Sequence, residues 1–84
     1  MTATKTPELP KIVRLHRKKA GLSQKQLADL AGVGKTAVFD LEKGKESAQM
    51  DTVRKILRVL NIRMLFASPL IDAVRAQEGT DAVR

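Results

Sequence analysis

Lys35, Thr36, Phe39 and Asp40 fall at i, i+1, i+4 and i+5 within the stretch KTAVFDLEK. A helix there would carry an ammonium, a hydroxyl, an aromatic ring and a carboxylate on one exposed face. Val38 and Leu41 take the positions that such a helix turns inward. These groups are suited to binding: the ammonium and hydroxyl donate hydrogen bonds, the ring and the threonine methyl offer apolar contact, and the carboxylate accepts. Bond-breaking chemistry has no support. The chain has no cysteine and a single histidine, hence no Cys/His pair and no H-x-x-x-H motif. It also lacks a phosphate-binding glycine loop, and its acids are scattered. We therefore expect no catalytic residue, no metal site and no cofactor, and assign His16 a packing or surface role.

The elements that must hold this face are legible from punctuation. Met1 to Glu8 is polar, aperiodic and contains Pro7, so residues 1–8 are expected to form a mobile arm. Pro10 suits a first helical turn, and Ile12, Val13, Leu15 and Ala20 supply an apolar stripe through a helix that ends at Gly21. Ser23 with Gln26 three residues on forms a capping box that starts a second helix. Leu27, Ala28 and Ala31 face inward there, and Gly32 stops the run where a left-handed residue turns the chain. A third helix runs from about Gly34 to Lys43, with Gly44 as its stop. Asp51 is the N-cap expected for a fourth helix, whose Val53, Ile56, Leu57 and Leu60 form a stripe and which Asn61 ends.

Beyond it, Ile62, Met64 and Phe66 alternate with Arg63 and Leu65, the period of a strand. A lone strand leaves its amides and carbonyls unpaired, so the economical partner is the same segment of a second copy, in an antiparallel ribbon. Residues 67–84 are expected to form a tail, either a short helix with Ser68 as N-cap, Pro69 at its start, a Leu70, Ile71 and Val74 stripe and Gly79 as stop, or a disordered segment.

Sixteen Lys and Arg against nine Asp and Glu leave a net charge of +7 on 84 residues, a field that favours a polyanion or an acidic surface. Lys11, Arg14, Arg17, Lys18 and Lys19 lie within nine residues, whereas Asp72, Glu78 and Asp81 acidify the C-terminal end. The partner should therefore meet the N-terminal half. No apolar run approaches the roughly 18 residues of a membrane span, and MTATKTPELPK lacks the apolar stretch of a signal peptide. We expect a single cytoplasmic domain, near the size at which self-association supplies missing buried surface, and hence a homodimer.

Two helices joined through a glycine turn are the helix-turn-helix arrangement, whose second helix enters the DNA major groove. Gln24 to Leu41 resembles, position for position, the phage-repressor-like (Xre/Cro) family of helix-turn-helix regulators: Leu27, Ala28, Ala31, Gly32, Val33, Val38 and Leu41. GLSQKQLADLAGV and LEKGK resemble that family almost word for word, and the likeness spans Ile12 to Leu60. MDTVRKILRVLNIRMLF is similar to the stretch through which HipB-type antitoxins share an intermolecular sheet, which extends the resemblance to about Phe66.

The resemblance implies an all-α, lambda-repressor-like domain of four to five helices over residues 9–66, with one short strand, Ile62, Arg63, Met64, Leu65 and Phe66, pairing across a homodimer. It implies base contacts from Lys35 and Thr36, since lysine donates to guanine O6 and N7 while threonine offers its hydroxyl or methyl. Phe39 either meets a thymine methyl or folds back onto the core or a dimer contact. Asp40 either accepts from cytosine N4, excludes wrong sequences, or pairs with a nearby lysine. Phosphate contacts fall to Gln24 at the start of helix two, to Lys43 and Lys45 after helix three, and to Arg14 and Lys18. Arg17 and Glu42 are implied as an ion pair tying helix three to helix one. The implied partners are double-stranded operator DNA, with the recognition helices roughly 34–36 Å apart, and a HipA-like kinase toxin, with no membrane. A stand-alone repressor and a chiefly protein-binding adaptor are the alternatives.

Overall fold

A computed structural model of the chain describes residues 8–78. They form five α-helices: α1 Leu9–Lys19, α2 Gln24–Ala31, α3 Lys35–Lys43, α4 Met50–Val59 and α5 Pro69–Glu78. The expected all-α architecture is what forms. The first four helices surround one core of Val13, Leu27, Ala28, Val38, Leu41, Val53, Ile56, Leu57 and Leu60, and α2 packs on both α3 and α4.

Helix starts and stops explain the compactness of this frame. Ser23 Oγ accepts from the Gln26 amide at 3.0 Å while Gln26 Oε1 accepts from the Ser23 amide at 2.8 Å, closing the expected capping box, which is worth about 1 kcal/mol. The four core helices then all end alike. After α2, the Val33 amide donates to the Ala28 carbonyl and Gly32 to Asp29, with Gly32 left-handed at φ 74°. The same pair of bonds recurs from Leu22 and Gly21 after α1, from Lys45 and Gly44 after α3, and from Ile62 and Asn61 after α4. This double bond satisfies carbonyls that a helix end otherwise leaves orphaned. Asn61 is the one non-glycine residue at positive φ among the described residues, at 58°, a conformation asparagine tolerates. Leu22, Val33 and Ile62, the residues just past three of these stops, fold back onto the core.

Two expectations are corrected, for the inward row of α1 and for the cap of α4. In α1 the inward row is Leu9, Val13 and Arg17 at i, i+4 and i+8, and Leu15 is 58% exposed with Ala20 exposed beside it. The core takes a narrower stripe than the apolar residues suggested because an arginine occupies its third position. Helix α3 begins at Lys35 with Gly34 as its N-cap, within one residue of the expected start. Helix α4 begins at Met50 behind Gln49, so Asp51 sits in the first turn, where its charge favours the helix dipole, instead of capping it. Residues 62–68 carry neither helix nor strand in the single chain. Ile62 and Met64 still lean on the core while Arg63 and Leu65 face out, but Phe66 is exposed too, so the alternation ends at Met64. Residues 1–7 of the arm and Gly79 onward lie outside the described residues. Within the tail, Ser68 Oγ accepts from the Ile71 amide at 3.0 Å and starts α5, whose Leu70 is 74% exposed.

The third position of the α1 row couples the frame. Arg17 Nε donates to Glu42 Oε2 at 2.6 Å, Nη2 to Glu42 Oε1 at 3.0 Å, and Nη1 to the Leu22 carbonyl at 2.9 Å. The two side chains are 11% and 5% exposed. Burial pushes the Glu42 carboxyl up, but hydrogen bonds from Arg17 and Gln24 and the nearby charges of Arg17 and Arg14 outweigh it, and the net shift is downward. The hydrogen bond to Glu42 raises Arg17.

A depressed carboxyl stabilises the fold above its unfolded pKa, about 4.3, and loses that contribution as pH falls through the folded value. The stability gap between the native chain and Glu42→Gln, from urea titrations, should stay constant above about pH 5 and shrink on further acidification. Arg17→Met should destabilise by about 3 kcal/mol, the low end for stranding a buried charge, and Arg17→Met with Glu42→Leu should recover much of it. A loss under about 1 kcal/mol would class the pair as solvent-screened. Nothing lies within 4 Å of a Cβ added at Gly32, so Gly32→Ala tests backbone strain alone: the expected loss is about 1–2 kcal/mol, with Gly32→Asn milder.

Candidate nucleic-acid interface

Helix α3 is held by its inner residues, Val38 and Leu41, and by Glu42 through Arg17. What it presents outward follows from register. Lys35, Phe39 and Lys43 form a row at i, i+4 and i+8, with Thr36 and Asp40 in the row beside it. Lys35 and Thr36 are exposed, behind an N-cap, Gly34, that contributes no side-chain bond. Phe39 is 44% exposed, which answers one of the alternatives left open for it: its ring does not fold into the core of this chain. Lys43 Nζ lies 5.1 Å from the ring centroid, a cation–π contact that the i, i+4 spacing of Phe39 and Lys43 could have signalled.

The row leads into an open cleft of about 270 Å³ lined by Arg14, Arg17, Lys18, Gln24, Phe39, Glu42 and Lys43. Residues from three helices thus meet: Arg14 and Lys18 one turn apart on α1, Gln24 at the first position of α2, and the last turn of α3. Four cations face one carboxylate, and that carboxylate is consumed by Arg17. Four of the five residues assigned to phosphate, Arg14, Lys18, Gln24 and Lys43, are gathered here. Lys45 is placed elsewhere, beyond Gly44, with its Nζ 3.6 Å from Asp40 Oδ2.

The Gln24 side chain has a partner that sequence reasoning missed. Its Nε2 donates to Glu42 Oε1 at 3.2 Å. The amide has a second N–H, so this bond orients Gln24 at the cleft wall without exhausting its donors. Nothing in the sequence flags the contact, because Gln24 and Glu42 are 18 residues apart. His16 Nδ1 bonds the Ile12 carbonyl at 2.7 Å, a local contact within α1.

A cationic, hydrogen-bond-donating cleft at the end of an exposed helical row suits a polyanion with regularly spaced charge. Among the described residues no group of three His, Asp or Glu side chains is placed to hold a metal ion, and no helix is long and apolar enough to cross a membrane.

The helix-turn-helix family is matched by residues 13–66. The HTH-type transcriptional regulator y4mF of Sinorhizobium fredii is 39% identical over 66 residues, spanning 77% of this chain and 87% of the relative. An HTH-type transcriptional regulator of Methanothermobacter thermautotrophicus is 39% identical over 49 residues, 58% of this chain and 71% of its own length. Among solved structures, a chain of the HipA-HipB-O2-O3 complex superposes with a TM-score of 0.67 at 23% identity, covering 82% of this chain and 99% of that one. A chain of the HipB-O4 20mer complex gives 0.66 at 23% identity, with 82% and 99% covered. At such identity the structural likeness is one of fold. The family match, however, spans the capped α2, the Gly32 turn and α3 that the geometry had already set apart, and the chain belongs to the helix-turn-helix family of DNA-binding transcriptional regulators.

Proposed function

We propose that the chain is a sequence-specific transcriptional repressor that acts as a homodimer, and that it is the antitoxin of a HipBA-like pair, repressing its own operon and binding a HipA-like kinase toxin. The observation that carries the DNA-binding part is the continuity of the α3 row with the α1–α3 cleft. Base contact by Lys35 and Thr36 is supported by their exposure in the first turn of α3, and phosphate contact by Arg14, Lys18, Gln24 and Lys43 is supported by their sharing the adjoining cationic cleft. Repression follows from occupying a promoter.

Dimerisation is supported by the unladdered segment 62–68 and by the exposed Leu65, Phe66, Leu70 and Val74, an apolar run with little packing inside one chain. Pairing of Ile62 to Phe66 with the same segment of a second copy would satisfy the backbone and cover these side chains together. Two recognition helices related by that axis would address half-sites about one DNA turn apart. The antitoxin part draws on the likeness of fold to HipB chains, one of them in a complex whose name includes HipA. A stand-alone repressor shares every feature but the toxin, and a kinase-like reading frame beside the gene separates the two. An adaptor that binds only protein would give no specific mobility shift on the DNA upstream of its gene.

Three outcomes are expected. In mobility shifts with that upstream DNA, Lys35→Ala should lose about 1–3 kcal/mol of specific affinity and leave binding to unrelated duplex nearly unchanged. Lys43→Gln should weaken both and reduce the slope of log K against log salt by about 1; a flat salt response in the native chain contradicts the phosphate role of the cleft. Truncation after Asn61 should lower dimer affinity and operator affinity together, and a truncated chain that stays dimeric in light scattering rules out the ribbon.

A further inference from the structure

We propose that Asp40 is a specificity-determining filter against non-specific DNA, held silent in the free protein by Lys45. The inference rests on the DNA-binding reading and adds how that surface rejects wrong sequences. Asp40 lies four residues after Thr36 on the base-facing side of α3. Its carboxylate is 3.6 Å from Lys45 Nζ, with the two side chains 31% and 60% exposed. The pairing is set by the backbone: the Lys45 amide donates to the Asp40 carbonyl at 3.0 Å in the turn that Gly44 makes at φ 89°. That turn places Lys45 beside Asp40 whatever the side chains do.

Lys45 follows directly on the recognition helix, where a duplex backbone would pass, and its ammonium cannot hold a phosphate and Asp40 together. An exposed pair at this distance is weak enough to exchange. When Lys45 turns to a phosphate, Asp40 is left as an uncompensated anion at the edge of a polyanion. A base pair that presents the cytosine N4 amino group at that position satisfies the carboxylate, and any other leaves the repulsion in force. The lysine transfer that supplies sequence-independent attraction thereby exposes a penalty at every wrong site. Lys43 stands in a parallel relation to Phe39, its ammonium over the ring at 5.1 Å. Both basic residues around the α3 stop thus rest on the outward side chains of its last turns.

The test is Asp40→Asn, titrated against the DNA upstream of the gene and against a shuffled duplex of equal length and composition, over a salt series. Among the described residues Asp40 makes no side-chain bond except to Lys45, and thermal melting verifies that the variant folds. The filter predicts roughly three- to tenfold tighter binding to the shuffled duplex at low salt, the gap from the native chain narrowing as added salt screens the repulsion. The upstream fragment gains less, so discrimination falls. Weaker binding to the upstream fragment alone would make Asp40 a simple base contact and overturn the filter. Equal discrimination by native and variant chains would overturn it as well. A native chain that binds neither duplex would sink the DNA-binding reading together with it.

Discussion

The buried contact between Arg17 and Glu42 is the constraint on which the remaining arrangement depends. One guanidinium holds two oxygens of a carboxylate on α3 and the Leu22 carbonyl in the α1–α2 turn. A charge taken from water is tolerated only when its hydrogen-bonding capacity is filled in the right geometry. Filling it here couples the distance and rotation between α1 and α3, because two bonds to Glu42 and one to Leu22 converge on a single guanidinium. The same carboxylate also takes the Gln24 amide, so the starts of α2 and α3's last turn are located by one group. A purely apolar contact of similar area would tolerate sliding, since packing alone is less directional than a bidentate pair.

From that constraint the charge pattern acquires direction. The domain carries its positive excess on α1 and around the end of α3, and the pair at the centre neutralises the one acid that lines the cleft. Arg14 adds to the field that keeps Glu42 ionised while remaining exposed. The cleft is therefore cationic at its rim and satisfied at its floor, which lets the rim act on a partner without drawing on charges that the fold needs.

Much of the frame was legible in the chain because its signals are local. Ser23 with Gln26, the glycines at 21, 32 and 44 and Asn61 each act within one helical turn, so sequence neighbours are sufficient to read them. The α4 stripe was equally plain, since its four positions, Val53, Ile56, Leu57 and Leu60, are all apolar at helical spacing and all four are buried. Reading failed where two local rules competed. Asp51 is a good cap, but Met50 is already helical, with Gln49 the extended residue before it, and this leaves Asp51 inside the first turn. Leu15 is apolar, yet the row set by Val13 and Arg17 turns it to solvent. The alternation from Ile62 to Phe66 is a separate case, because the ladder expected for it comes from a second copy of the segment and one chain alone carries none.

What the sequence by itself determined is the four core helices, their stops, the family to which they belong and the side chains that α3 turns outward, because propensity, capping and periodicity act over a few residues. What only the tertiary structure decided is which distant groups share a site. Gln24 on Glu42, Lys45 on Asp40 rather than in the cleft, and Arg14 with Lys18 opposite Lys43 all follow from the angle between helices. That angle is set by core packing and one buried ion pair, which spacing along a chain does not encode.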